Sequence, residues 1–180
     1  MSFDYDKLKN WPFEEISQTY TSRDTILYAL GVGLGADPMD EQQLQYVFEE
    51  AEPFMALPTM AVVLGSPGFW SRDPKTGIDW VKVLHGEQKM VIHNPLPTSA
   101  TIKAKSKVTG LVDKGADKGA LILTERTLKD AESGLDLATL TSTTFARGNG
   151  GYDGPSDEAP RPHKVPEREP DFAVDLTTSD

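Results

Sequence analysis

The sequence predicts an α+β domain in which a few short helices are attached to an antiparallel sheet. Three runs carry this reading. From Thr101 the side chains alternate without error, Ile102, Ala104, Ser106 and Val108 on one face and Lys103, Lys105, Lys107 and Thr109 on the other, the period of a half-buried strand. A second strand at Ala120 to Leu128 follows Asp113-Lys114-Gly115-Ala116-Asp117-Lys118-Gly119, whose glycines and polar residues favour a hairpin with a longish loop. Beyond the turn Asp130 to Gly134, the Thr-rich run Leu135 to Ala146 adds a further strand and makes a meander.

The remaining elements follow in order. After a polar lead-in, Thr21-Ser22-Arg23-Asp24 reads as a capping box, with Ile26, Leu27 and Leu30 as the buried side of a short helix that Gly31, Gly33 and Gly35 stop. These glycines close a helix, whereas a dinucleotide loop must follow a strand and open one. Asp37 to Glu50 fits two patterns. Leu44, Tyr46 and Phe48 alternate as in a strand, while Leu44, Val47, Phe48 and Ala51 share a helical face; the strand is preferred. Pro58 suits the first turn of a short apolar helix, Thr59 to Leu64, ended by Ser66-Pro67-Gly68. Phe69 to Gly77 reads as a turn-rich loop, after which Ile78, Trp80, Val81 and Val83 resume apolar character. Gly148, Gly150, Gly151 and Gly154 could form a phosphate nest, but the run opens no helix and carries no lysine, so it reads as a flexible joint, and the five prolines from Pro155 to Pro170 as an extended linker. The domain is therefore placed at 1–154 and the linker at 155–180. At its end Leu176-Thr-Thr-Ser-Asp180 echoes Tyr20-Thr-Ser-Arg-Asp24, as a second copy of the first helix start would.

Composition narrows the function classes. The 180 residues suffice for one core plus a tail, and the absence of cysteine excludes disulfides and cysteine metal sites. A formal charge of -10 argues against a nucleic-acid partner, which would need clustered Lys and Arg. No apolar run approaches the ~20 residues of a membrane helix, so no membrane partner is expected and the chain reads as soluble and unprocessed.

His85-Gly86-Glu87-Gln88 is the best candidate for chemistry, because glycine lets backbone approach a ligand beside an imidazole. The plainer reading is a surface histidine in a turn between strands. Lys114 and Lys118 could receive phosphates or a carboxylate, or be solvated turn lysines. His93 and His163 form no metal-ligand cluster with His85, and no Ser/His/Asp or Cys/His set assembles from spacing. Residues alone thus reach a mixed domain with a ligand loop at one sheet end.

A set of segments goes further. Tyr20-Thr-Ser-Arg-Asp-Thr-Ile-Leu-Tyr-Ala-Leu-Gly-Val-Gly33, Leu57-Pro-Thr59, Lys82-Val-Leu-His-Gly-Glu-Gln88, Pro95-Leu-Pro97, Val112-Asp-Lys-Gly115 and the region from Arg147 to Gly151 resemble, in order, the N-terminal half of the 2-enoyl-CoA hydratase 2 family, the MaoC-like dehydratases. The resemblance implies a hot-dog-like domain, a curved antiparallel sheet packed on a short or incomplete central helix. It implies the acyl-CoA-binding half of an (R)-specific hydratase acting on trans-2-enoyl-CoA in fatty-acid β-oxidation, needing no cofactor. His85, Gly86 and Lys114 match positions that contact the acyl-CoA in the family. Met60 departs from it, standing where relatives often carry an aromatic residue that shapes the acyl pocket. The family's catalytic Asp and His lie in the second half, within Gly-Asp-x-Asn-Pro-Leu-His, a motif this sequence does not contain. No catalytic residue is therefore assigned here. The implied partners are a second hot-dog domain, in cis or in trans, and a second copy in a homodimer. The implied location is the peroxisome in a eukaryote or the cytoplasm in a bacterium. The alternative is a non-catalytic acyl-CoA-binding or regulatory subunit that pairs with a separate catalytic chain.

Overall fold

A computed structural model describes residues 4–155, 159 and 164–175. Five antiparallel strands form one curved sheet: β1 (Ile16–Tyr20), β2 (Val83–Ile92), β3 (Ala100–Asp113), β4 (Ala120–Asp130) and β5 (Asp136–Ala146), in the order β1-β3-β4-β5-β2. The expected β3-β4 hairpin and the β3-β4-β5 meander are both present. Ile102, Ala104 and Val108 are buried on the inner face, as their alternation requires. On the outer face Lys105 pairs with Glu15 at 3.2 Å and Lys107 with Glu125 at 2.7 Å.

The polar lead-in contains two elements that its composition hid. A helix α1 (Tyr5–Lys9) buries Leu8, and β1 adds to the sheet by pairing Ile16 with Ala104 and Tyr20 with Ala100. Buried Tyr20 donates its hydroxyl to Pro97 O at 2.7 Å. Burial first, and Asp130 second, push its pKa up to about 12, which keeps it a donor.

Helix α2 (Ser22–Gly31) starts where the capping box places it: the Thr21 N–H and hydroxyl both donate to Asp24 Oδ2, at 2.8 and 3.0 Å. Its buried side differs from the expectation. Thr25 and Ala29 are buried, whereas Leu27 and Leu30 are about half exposed, at 54% and 49%. The reason is close approach: α2 follows β1 after one residue, and Thr25 donates to Thr98 O at 2.8 Å, a gap that only small side chains fit.

Asp37 to Glu50 is not a strand. It holds a helix α3 (Glu41–Val47), started by Asp40, whose Oδ1 accepts the N–H groups of Gln42 and Gln43. An Asp cap outweighed a three-residue alternation. The short apolar helix is a 3-10 turn, Pro58–Val62. It cannot lengthen, because Gly65 (φ +57) passes so close to β3 that a Cβ there would lie 2.2 Å from Ala104 Cβ.

The inner face carries two apolar clusters. One joins the Pro58–Val62 turn, including buried Met60, to Ile102, Ala104, Leu128, Ala138 and Leu140. Met60 is thus core at that turn. The other joins Leu8, Val108, Leu111, Ile122 and Ala146, with Trp11, Phe13 and Trp70 at its edge. Between them the inner face is polar.

Residues 148–155 are fastened to the domain, contrary to a flexible joint. Asn149 is buried, accepting from Asp79 N–H at 2.8 Å and donating to Gly77 O at 2.9 Å. Pro155 O accepts the Asp113 N–H. Residues 164–175 are exposed and lie outside helix and strand. The repeated helix-start signal at Leu176 to Asp180, and His163, lie outside the described residues.

Candidate functional site

A cleft of about 280 Å³ opens on the polar middle of the inner face. Register dictates its lining. In β4 and β5 the inward positions between the apolar clusters are Thr124 opposite Ser142 and Arg126 opposite Leu140, while Ile122 lies opposite Thr144. From β2, His85 pairs with Thr144 and Gln88 with Ser142. Those two side chains share a face, although three residues apart, because a bulge at Gly86 inserts an extra residue between His85 and Glu87. Gly86 is suited to this: a Cβ there would lie 3.0 Å from Thr143 O. Phe13, Val62, Pro67 and Trp70 form the apolar rim.

Within the cleft the Thr124 and Ser142 hydroxyls are hydrogen-bonded at 2.7 Å. Arg126 is half-buried and donates through Nη2 to Val62 O at 2.5 Å, tying the 3-10 turn to the sheet. Its Nε is buried without a hydrogen-bond partner. Burial lowers its pKa from the usual guanidinium value, although a guanidinium stays charged. His85 is exposed at the cleft wall, in the interior of β2 and not in a turn.

Lys114 lies elsewhere. With Lys118, Arg147, Asp117 and Phe145 it lines a second, open cleft at the end of β5, and the Arg147 guanidinium lies 5.6 Å from the Phe145 ring centroid. The loop that carries both lysines is held by Asp113, whose Oδ1 accepts the N–H groups of Gly115 and Gly151 and whose Oδ2 accepts that of Tyr152, each at 2.8 Å. Burial raises the Asp113 pKa, but backbone N–H donors from Gly151, Gly115, Tyr152 and Gly154 outweigh it and hold the carboxyl below its usual range. The glycine-rich run after β5 is therefore an anion nest filled by the chain's own Asp113.

The structure brings His85 to the inner cleft, with Gly86 beside it in the bulge, and Lys114 to the basic one. Among the described residues the two clefts share no lining residue: Thr144 lines the first, and the next residue of β5, Phe145, lines the second from the opposite face of the strand. Four participants were missed. Arg126, Thr124 and Ser142 were findable by counting alternate positions from Ile122 and Leu140, whereas Arg147 carried no local signal beyond its place before the glycines. Among the described residues no group of three His, Asp or Glu could hold a metal, and no helix is long and apolar enough to cross a membrane.

The family model of the MFE-2 hydratase 2 N-terminal domain matches residues 18–148. The chain belongs to this family. It is 33% identical to the probable enoyl-CoA hydratase 2 of Dictyostelium discoideum over 187 residues, covering all of this chain and 60% of that protein. It is 34% identical to the peroxisomal multifunctional enzyme type 2 of Drosophila melanogaster, covering 97% of this chain and 30% of that one. The crystal structure of a MaoC-like dehydratase from Phytophthora capsici superposes with a TM-score of 0.74 at 35% identity, over 93% of this chain and 57% of that chain. The chain thus has the expected hot-dog fold, and it spans 60% or less of the length of these relatives. Its central helix is indeed incomplete: α2 packs on β1 and the Pro58–Val62 turn, which leaves the middle of the inner face open as the cleft.

Proposed function

We propose that this chain is the acyl-CoA-binding half of an (R)-specific enoyl-CoA hydratase of fatty-acid β-oxidation. The whole enzyme adds water to trans-2-enoyl-CoA: hydroxide oxygen bonds to C3, a proton to C2, and (3R)-3-hydroxyacyl-CoA results. The observation that carries this reading is a pair of clefts lined by successive residues of β5, a basic one at the strand's end and one on the inner face with an apolar rim and a polar floor. Lys114, Lys118 and Arg147 gather positive charge on a chain of net charge -10, and phosphates of a CoA would accept charge-assisted hydrogen bonds from them. The thioester end would pass His85 and the Gly86 bulge into the inner cleft. The Asp and His that activate water would come from a second hot-dog domain, in the same chain or another, together with donors that stabilise the thioester enolate. Exposed Leu27, Leu30 and Val32, and the strand edge of β2 that is unpaired among the described residues, offer surfaces for that domain or for a second copy. Relatives named as peroxisomal support that location in a eukaryote; a bacterial protein would be cytoplasmic.

The test is a hydration assay with trans-2-decenoyl-CoA, with the chain alone and with the domain that carries the Gly-Asp-x-Asn-Pro-Leu-His segment. Turnover only in the presence of that domain is expected. Efficient turnover by residues 1–180 alone would move the chemistry to His85 or a neighbour and overturn this division of labour.

A further inference from the structure

We propose that the Arg126 guanidinium, on the floor of the inner cleft, receives the distal carboxylate of an acyl-CoA whose chain ends in a second carboxyl group. This rests on the acyl-CoA reading above. A guanidinium has five N–H donors, and the structure gives Arg126 one hydrogen bond, from Nη2 to Val62 O, with Nε sealed from solvent and unpartnered. Among the described residues no carboxylate lies within ion-pair distance of it. Glu125, next to it in sequence, is committed to Lys107 on the outer face at 2.7 Å. Removing a cation from water without a counter-charge is costly, and an anion entering the cleft would offset that cost.

The surroundings suit an oxygen-rich group. Gln88, Ser106, Thr124, Ser142 and Thr144 line the same cleft, where a channel built for a plain hydrocarbon would carry aliphatic side chains. The position suits the far end of a substrate. Arg126 pairs with Leu140, six residues along β5 from its last residue, Ala146, or about 20 Å at the usual rise of a strand, and Arg147 of the basic cleft follows directly. His85, paired with Thr144, lies between the two. An acyl-CoA whose phosphates lie at the lysines and whose pantetheine arm rounds the end of β5 would enter the inner cleft past His85, with Arg126 toward its tail.

Octanoyl-CoA and its ω-carboxy counterpart, suberoyl-CoA, titrated against the protein at its natural length, test this. Suberoyl-CoA is expected to bind roughly 10-fold more tightly, a difference of ~1.4 kcal/mol. The ratio of the two affinities should collapse to near one in Arg126→Met and be partly retained in Arg126→Lys. An arginine that only ties down Val62 would leave the ratio unchanged. Octanoyl-CoA bound as tightly as suberoyl-CoA by the unaltered protein would overturn the proposal while leaving the acyl-CoA reading intact; this is also the result if a carboxylate from elsewhere in the protein fills the cleft. Failure of both thioesters to bind would bring down the two together. Because the unaltered protein decides, poor folding of the variants does not protect the idea.

Discussion

Asp113 is the residue on which the basic cleft depends. Its carboxylate holds the N–H groups of Gly115, Gly151 and Tyr152, so one side chain fixes the lysine loop and ties it to the segment after β5. Replacing it with Ala leaves those donors unpaired and should cost about 2 kcal/mol, read from denaturant unfolding. The pH dependence has a definite sign. The folded pKa lies below the unfolded value, so the contribution is fully present above the unfolded carboxyl range and is lost as pH falls through the folded pKa. The unaltered protein should lose stability on acidification below about pH 4, and Asp113→Asn should lose less over that interval. The sequence showed the loop's glycines and lysines but not this role, because the Gly151 and Tyr152 partners lie 38 and 39 residues away. Arg126 was legible in principle, since alternation from Ile122 points it inward, yet its isolation depends on which carboxylates the fold brings near.

At the scale of elements, β2 owes its binding face to one extra residue. The bulge at Gly86 turns both His85 and Gln88 inward, and a Cβ there would press on Thr143 O at 3.0 Å. Gly86→Val should therefore lower stability by about 1–3 kcal/mol and weaken acyl-CoA binding more than Gly86→Ala does, measured by unfolding and titration on the same samples. The glycine was visible beside the histidine; that it marks a bulge required the register with β5. β3 was legible from sequence because its alternation runs from Thr101 to Thr109, and β4 and β5 because turn residues delimit runs of β formers. Short elements fared worse. In α3 the side-chain cap of Asp40 overrode the alternation of Leu44, Tyr46 and Phe48, and Asp40→Ala should cost about 1 kcal/mol in denaturant unfolding. In α2 the small residues Thr25 and Ala29 took the buried side, since helix packing distance is set by neighbours that a hydrophobicity pattern does not contain.

At the scale of the molecule, the open inner face and the exposed apolar side of α2 point the same way. Leu27, Leu30 and Val32 expose about half of their surfaces, and no residue of α2 lines the inner cleft. If a second hot-dog domain docks there, Leu27→Asp should weaken that association, seen by sedimentation, while the unfolding of this domain changes little, since Leu27 lies outside its core. The overall fold could be reached from ordered segments of sequence, but the separation of His85 and Lys114 into two clefts could not, because it rests on Thr144 and Phe145 facing opposite sides of β5. The central claim is that those clefts hold the two ends of one acyl-CoA. Titration of decanoyl-CoA against the unaltered protein and Lys114→Ala, at low and moderate salt, tests it most directly. The expected result is binding that weakens roughly 10-fold in the variant and falls with salt, as a lost phosphate contact dictates. Equal affinity of the two proteins at both salt concentrations would contradict it.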